Sequence, residues 1–185
     1  MIWIDAHGDF NDDMISPTGN IHGMPLSAVC GCGPDSLVKF TDARVDPHNV
    51  AVIGARDLNP EEIRKMKSKG VSVFAISDVH TFGIRKVLED AIDVATDGTE
   101  GIHLSFDMDA LDPNNAPGVG PPVFNGLTNR EGFIICEELF DINRLLAIDL
   151  VETNPLLDNR NATGKLASEL VITCLGKTDY KLFGI

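Results

Sequence analysis

The stretch Ile2-Trp3-Ile4-Asp5-Ala6-His7-Gly8-Asp9 joins three apolar residues to three potential metal ligands. Ile2, Trp3 and Ile4 predict the end of a short buried strand. Asp5, His7 and Asp9 follow at spacings of two, and an extended segment sends alternate side chains to one face. All three would then point into one pocket beyond the strand's carboxyl end, where open α/β sheets place their ligand sites. Acidic residues after a strand are also ordinary turn formers, so the triplet alone leaves both readings open. Ser105-Phe106-Asp107-Met108-Asp109 repeats the arrangement after a second apolar strand, Ile102 to Phe106. Together the two strand ends offer Asp5, His7, Asp9, Asp107 and Asp109. Oxygen-rich ligation with a single imidazole suits ions such as Mn²⁺, whereas Zn²⁺ sites more often use Cys and several His. Four carboxylates exceed the needs of one ion and suffice to bridge two. Such a pair can hold a hydroxide between its ions and aim it at an electrophile.

Strand and helix signals alternate through the rest of the chain. Asn49 to Ala55 is an apolar run of the kind that a parallel sheet buries on both faces. It delivers Arg56, Asp57, Asn59 and Glu62 to the edge where the metal motifs lie. Pro60-Glu61-Glu62 opens a helix running to Lys69, and acids in a first turn are equally explained by the helix dipole. Val71 to Ile76 is a further strand. Ser77-Asp78 predicts the cap of one long helix towards Ala95, with Ile84, Val87, Leu88, Ala91 and Ile92 on one face. Pro113 to Phe124, with four prolines and two glycines, is an irregular loop suited to the rim of a pocket. Thr128 with Glu131 three residues on caps a helix to about Phe140. Leu145 to Val151 reads as a last buried strand ending on Glu152, and a final helix from about Thr163 to Leu175 covers the sheet. Leu26 to Cys32 predicts a short helix. The expectation is one α/β domain over residues 1–185, a three-layer sandwich with a mainly parallel sheet.

Composition bounds the function. At 43% hydrophobic and 23% charged residues the chain is of the globular kind. A net charge of -13 argues against nucleic-acid and anionic-membrane partners and favours cationic substrates. The longest apolar runs are too short to cross a bilayer, and no basic region with an apolar stretch opens the chain, so a cytoplasmic protein is expected. Cys30, Cys32, Cys136 and Cys174 are scattered and read as reduced thiols.

Four longer motifs carry a resemblance: Asp5-Ala6-His7-Gly8-Asp9, Gly19-Asn20-Ile21-His22-Gly23-Met24-Pro25, Ser105-Phe106-Asp107-Met108-Asp109-Ala110-Leu111-Asp112-Pro113 and Glu152-Thr153-Asn154-Pro155. They resemble the signature motifs of the ureohydrolases, and within that group most closely those of the arginases. The resemblance implies a two-Mn²⁺ hydrolase that releases urea from a small guanidino substrate, most simply L-arginine, through a metal-bridging hydroxide. It implies that Asp5 and Asp107 bridge the ions, with Asp9 on one and His7 and Asp109 on the other. It further implies that His22 shuttles protons, that Glu152 pairs with the guanidinium, and that Asn11, Ser16 and Thr18 meet a substrate carboxylate. Ordinary Asx and Ser turns would explain that last trio nearly as well. The family's Arg-Asp-x-Asp-Pro-x-Glu stretch aligns with Arg56 to Glu62. Its second Asp, which meets the substrate's α-amino group, is here Asn59, and a neutral amide gives less to an ammonium. Agmatine, a guanidino acid, or a non-catalytic metal-binding role therefore stay open as alternatives.

The family's upstream Gly-Gly-Asp-His-Ser motif, whose His ligates one ion, does not occur in this chain. An N-terminally truncated form of the ureohydrolase fold is expected, covering about the C-terminal two thirds of the family domain. The family's trimers or hexamers imply a homo-oligomer. Without the upstream strands and the family's His, Ile2 and Trp3 are expected to lie open, the chain to self-associate or be marginally stable, and its urea release to be weak or absent.

Overall fold

Residues 1–177 are described in the computed structural model; residues 178–185, the end of the domain expected over 1–185, lie outside the described residues. Five strands form one sheet: β1 (Ile2–Ile4), β2 (Ala51–Ala55), β3 (Ser72–Ala75), β4 (Ile102–Asp107) and β5 (Leu145–Val151). Their order is β3-β2-β1-β4-β5, and every neighbouring pair is parallel. The helices are α1 (Pro25–Val29), α2 (Asp35–Val38), α3 (Pro60–Lys69), α4 (Ile76–Phe82), α5 (Ile84–Thr96), α6 (Asn129–Asp141) and α7 (Ala162–Cys174).

The alternation of side chains along the strands feeds two apolar layers, one on each face of the sheet. Ile2, Ile4, Ile53, Leu104 and Phe106 pack with Leu88 and Ala91 of α5, Ile135 and Leu139 of α6, and Leu170 of α7. Trp3 and Val52 face the other way, against Phe10, Leu26 of α1 and Met66 of α3. Two helical layers thus sandwich the sheet. Each fully buried Ile or Phe contributes roughly 1.5–3 kcal/mol relative to exposure, so the central strands anchor whatever their ends carry.

The chain builds outward from β1 to β2 and β3, then returns to lay β4 on the other side of β1. Paths therefore diverge between β1 and β4, a topological switch point, and a crevice opens beyond the carboxyl ends of those two strands. Ile4 lies opposite Phe106 in the register, so Asp5 and Asp107 emerge side by side.

Local chemistry explains the helix bounds. Asn59 accepts a hydrogen bond from the Glu62 N–H at 2.9 Å, Pro60 takes the first helical position, and Gly70, at φ 86°, ends α3 in the left-handed region. Thr128 and Glu131 cap α6 reciprocally.

Three expectations are corrected. The single helix towards Ala95 is two, because Gly83, at φ 82° and ψ 151°, breaks it between Phe82 and Ile84. Of the expected pair Ser77-Asp78, Asp78 supplies the cap, its carboxylate accepting from Ala75 N–H at 2.8 Å. Strand β5 is not buried: it is the sheet's edge, and Leu146 is 72% exposed. Strand β1 is not open: it is the central strand, with Ile2 and Ile4 at 0% exposure, because β2 and β4 flank it on both sides. The apolar surface expected around Ile2 and Trp3 lies at β5 instead.

Candidate metal centre and substrate cleft

The segment after β1 is not extended. It bends at Ala6 and His7, and Asp9 takes φ 49°. Period-two alternation therefore does not account for the placement of Asp5, His7 and Asp9. Hydrogen bonds do. The Asp5 carboxylate accepts from the Trp3 indole N–H at 2.8 Å through one oxygen and from His7 N–H at 2.7 Å through the other. Gly8 lets Glu62 approach the segment, since a Cβ there would lie 2.8 Å from Glu62 Oε1. Glu62 is itself buried and accepts from Phe10 N–H at 2.9 Å. After β4 the chain enters a 3-10 turn over Met108–Ala110, where Asp107 accepts from Asp109 N–H at 2.7 Å and Asp109 accepts from Ala6 N–H at 3.2 Å.

These turns bring the two motifs together. Asp5, His7 and Asp109 each offer a ligand atom, all within 4.8 Å of one another. His7 Nδ1 lies 3.2 Å from Asp5 Oδ1 and 3.1 Å from Asp109 Oδ2. Asp9 and Asp107 line the same small recess, of about 50 Å³, which His22, Glu152, Gly120 and Pro121 complete. A wider cleft of about 210 Å³ adjoins it, bordered by Asn11, Ser16, Thr18, Asp57, Asn59 and Glu62.

The electrostatics of the recess fit a cation. Burial, reinforced by the Asp5 charge, pushes Asp9 up to about 9, and burial with Asp5 and Asp109 pushes Asp107 up to about 10. Burial also raises Asp5. Hydrogen bonds to Asp109 and then Asp5 raise His7 to about 11. Asp109 is held low: burial opposes its charge, but the His7 contact prevails. Buried acids that retain protons only because their charges are uncompensated suit a divalent ion, which would displace those protons.

The predicted substrate residues divide into two kinds. Glu152 is exposed at φ 60° just past β5, and His22 is exposed in a 3-10 turn, so both are free to meet a ligand. Ser16 accepts from Gly19 N–H at 3.0 Å and Thr18 from Asn20 N–H at 3.2 Å, which leaves each hydroxyl proton available. Asn11 and Asn59 are committed inward. Asn59 donates to Asn11 Oδ1 at 2.8 Å while its own oxygen caps α3. Sequence reading did not assign the support given by Trp3 to Asp5, and it brought Asp57 to this edge without a role; the Asp57 carboxylate lies 3.9 Å from His7 Nε2. The only signal for Trp3 was its place two residues before Asp5.

A family model described as the arginase family matches residues 1–176. The chain belongs to the arginase family. Arginase from Bacillus subtilis (strain 168) is 45% identical over 179 residues, covering 96% of this chain and 60% of that protein. The crystal structure of Bacillus caldovelox arginase superposes with a TM-score of 0.93 at 40% identity, covering 96% of this chain and 60% of that one. A hypothetical agmatinase from Burkholderia thailandensis is more distant, with a TM-score of 0.72 and 30% identity over 94% of this chain and 48% of its own. The chain thus spans about 60% of the length of the arginases it matches. No helix among the described residues is long and apolar enough to cross a membrane, and all four cysteines are free.

Proposed function

We propose that this chain carries the cleft of a ureohydrolase that uses two Mn²⁺ ions to convert L-arginine and water to L-ornithine and urea. The observation that carries this reading is the cluster of Asp5, His7 and Asp109 at a recess that Asp9, Asp107, His22 and Glu152 also line. His7 and Asp109 would hold one ion and Asp9 the other, with Asp5 and Asp107 between them. When bound, the ions supply Lewis acidity and a nucleophile at neutral pH.

The chain's own residues do the rest. Glu152, at the mouth of the recess, accepts paired hydrogen bonds from the planar guanidinium and orients its carbon towards the acids. His22, exposed to solvent, carries a proton to the departing amine. Ser16 and Thr18 donate their hydroxyl protons to the substrate carboxylate. The -13 charge draws a cationic substrate towards the cleft. Similarity to arginases at 40–45% identity supports arginine as the substrate.

One observation favours a second reading. Asn59 points its amide at Asn11, so it offers an α-ammonium no carboxylate, and a guanidino acid would not need one. Urea release from arginine, agmatine and a guanidino acid, each with Mn²⁺, separates the two. Release from arginine alone supports the first reading. Release from none of them, with Mn²⁺ bound and an upstream segment carrying Gly-Gly-Asp-His-Ser added back, overturns both and leaves a metal-binding protein.

A further inference from the structure

Arg56 follows β2 and points back across the sheet edge. Its guanidinium donates to backbone carbonyls in three separate segments. Gly54 O, at the end of its own strand, lies 3.2 Å away. Asp109 O, Ala110 O and Leu111 O, in the turn after β4, lie at 2.8, 3.1 and 3.4 Å. Val123 O and Phe124 O, in the loop whose Gly120 and Pro121 line the recess, lie at 2.7 and 3.2 Å. The packing is close: a Cβ on Gly126 would sit 2.6 Å from Nη2 and equally near the backbone of Leu111 and Asp112, so that position requires glycine.

Two features of this arrangement matter. The first is what it does to residue 109. Its N–H is held by the Asp107 carboxylate and its C=O by Arg56, at 2.7 and 2.8 Å. With both peptide groups pinned, the direction of the Asp109 side chain towards His7 is fixed, and Asp107 is turned by the same bond. The second is what the guanidinium leaves alone. Asp109, Asp112, Asp5 and Asp57 lie near enough for their charges to act on it, yet its hydrogen bonds go to carbonyls, so no carboxylate oxygen is taken up.

We propose that Arg56 is a positioning residue of the metal centre. It locks the metal-bearing turn and the cleft rim to the sheet, and it stations a permanent positive charge behind the acids while leaving their oxygens free for ions. The proposal rests on the metal reading given above. A lysine would preserve the charge but not the clamp, because one ammonium with three donors cannot span three backbone segments.

The test compares Arg56→Lys and Arg56→Met with the parent chain in two measurements, Mn²⁺ titration followed by electron paramagnetic resonance and hydrogen exchange of the metal-free protein. Supporting contacts around metal ligands typically carry about 10–100-fold in affinity, and a loss of that size is expected in both variants, with lysine failing to restore it. Exchange should quicken at 108–112 and 122–127 while the amides of β1 and β2 stay protected. A lysine variant with parental Mn²⁺ affinity would overturn the proposal. So would faster exchange spread evenly over the sheet, the mark of a general loss of stability, or exchange unchanged at both segments. Should the parent itself bind no Mn²⁺, the two-metal reading fails, and the exchange pattern still decides whether Arg56 holds turn and rim.

Discussion

The carboxyl ends of β1 and β4 and the outer edge of β5 break the ordinary rule of burial in opposite senses. At the first, acids are buried: Asp5, Asp107 and Asp109 are each no more than 5% exposed. At the second, apolar side chains are open: Leu146 and Leu175 are 72% and 70% exposed and border a groove of about 500 Å³ with Leu145, Ile148 and Val171. Buried charge without a partner costs free energy, and so does a wide apolar patch in water. The first region is small, polar and held by hydrogen bonds from every side. The second is larger and, among the described residues, has no strand on the outer side of β5. Each is costly as it stands, and each is relieved by something of matching chemistry: cations in one, another apolar or strand-forming surface in the other.

Removing a ligand should have the largest effect. Asp109→Ala deletes the carboxylate that faces both His7 and Ala6 N–H, and its Mn²⁺ affinity should fall by more than the ~10–100-fold typical of a lost supporting contact. Retention of parental Mn²⁺ binding in a titration would show that the recess is not the ion site. His22→Ala should leave Mn²⁺ binding intact and lower urea release by about 10²–10⁴-fold; loss of metal instead would make His22 a ligand.

The buried acids also set a pH dependence. Asp9 and Asp107 rise from 3.8 to about 9 and 10, so between those limits the native chain binds more protons than the unfolded one. Stability then falls as pH rises. His7, raised from 6.5 to about 11, acts in the same sense: its contribution is complete below 6.5 and fades towards 11. The metal-free protein should therefore melt at a lower temperature at pH 9 than at pH 6, and Mn²⁺ should narrow the gap. A melting temperature independent of pH would mean that folding does not bury these acids uncompensated.

The smallest effect on stability is expected at the other region. Leu146→Lys places a charge on an open edge strand, a substitution worth within about ±0.5 kcal/mol at an exposed position, yet it should shift an associating parent towards monomer in sedimentation. A parent that stays monomeric at all concentrations would show that the β5 edge needs no cover.

Much of this was legible in the residues. The motifs at Asp5–Asp9 and Asp107–Asp109, the β2 run, the Pro60 start of α3 and the Thr128–Glu131 cap all rest on local chemistry, where neighbouring residues suffice to define the outcome. Gly83 was a local signal too, but the apolar spacing on either side of it hid the break, because Val79 before it and Ile84 after it enter the same core layer. The positions of β1 and β5 were not legible. An apolar strand reads alike at the centre of a sheet and at its edge, and only the strand order distinguishes them.

The sequence by itself determined the candidate ligands, the alternation of strand and helix, and the α6 cap, since these depend on residue type and short spacing. Tertiary structure decided which strands neighbour one another, and with that the rest. Placing β4 beside β1 brought Asp107 and Asp109, about a hundred residues on, within reach of Asp5 and His7. It turned Arg56 onto carbonyls of two distant loops and left Leu146 facing water. Contacts between residues far apart in the chain arise only when the sheet is assembled, because parallel strands pair through crossovers that no local pattern specifies.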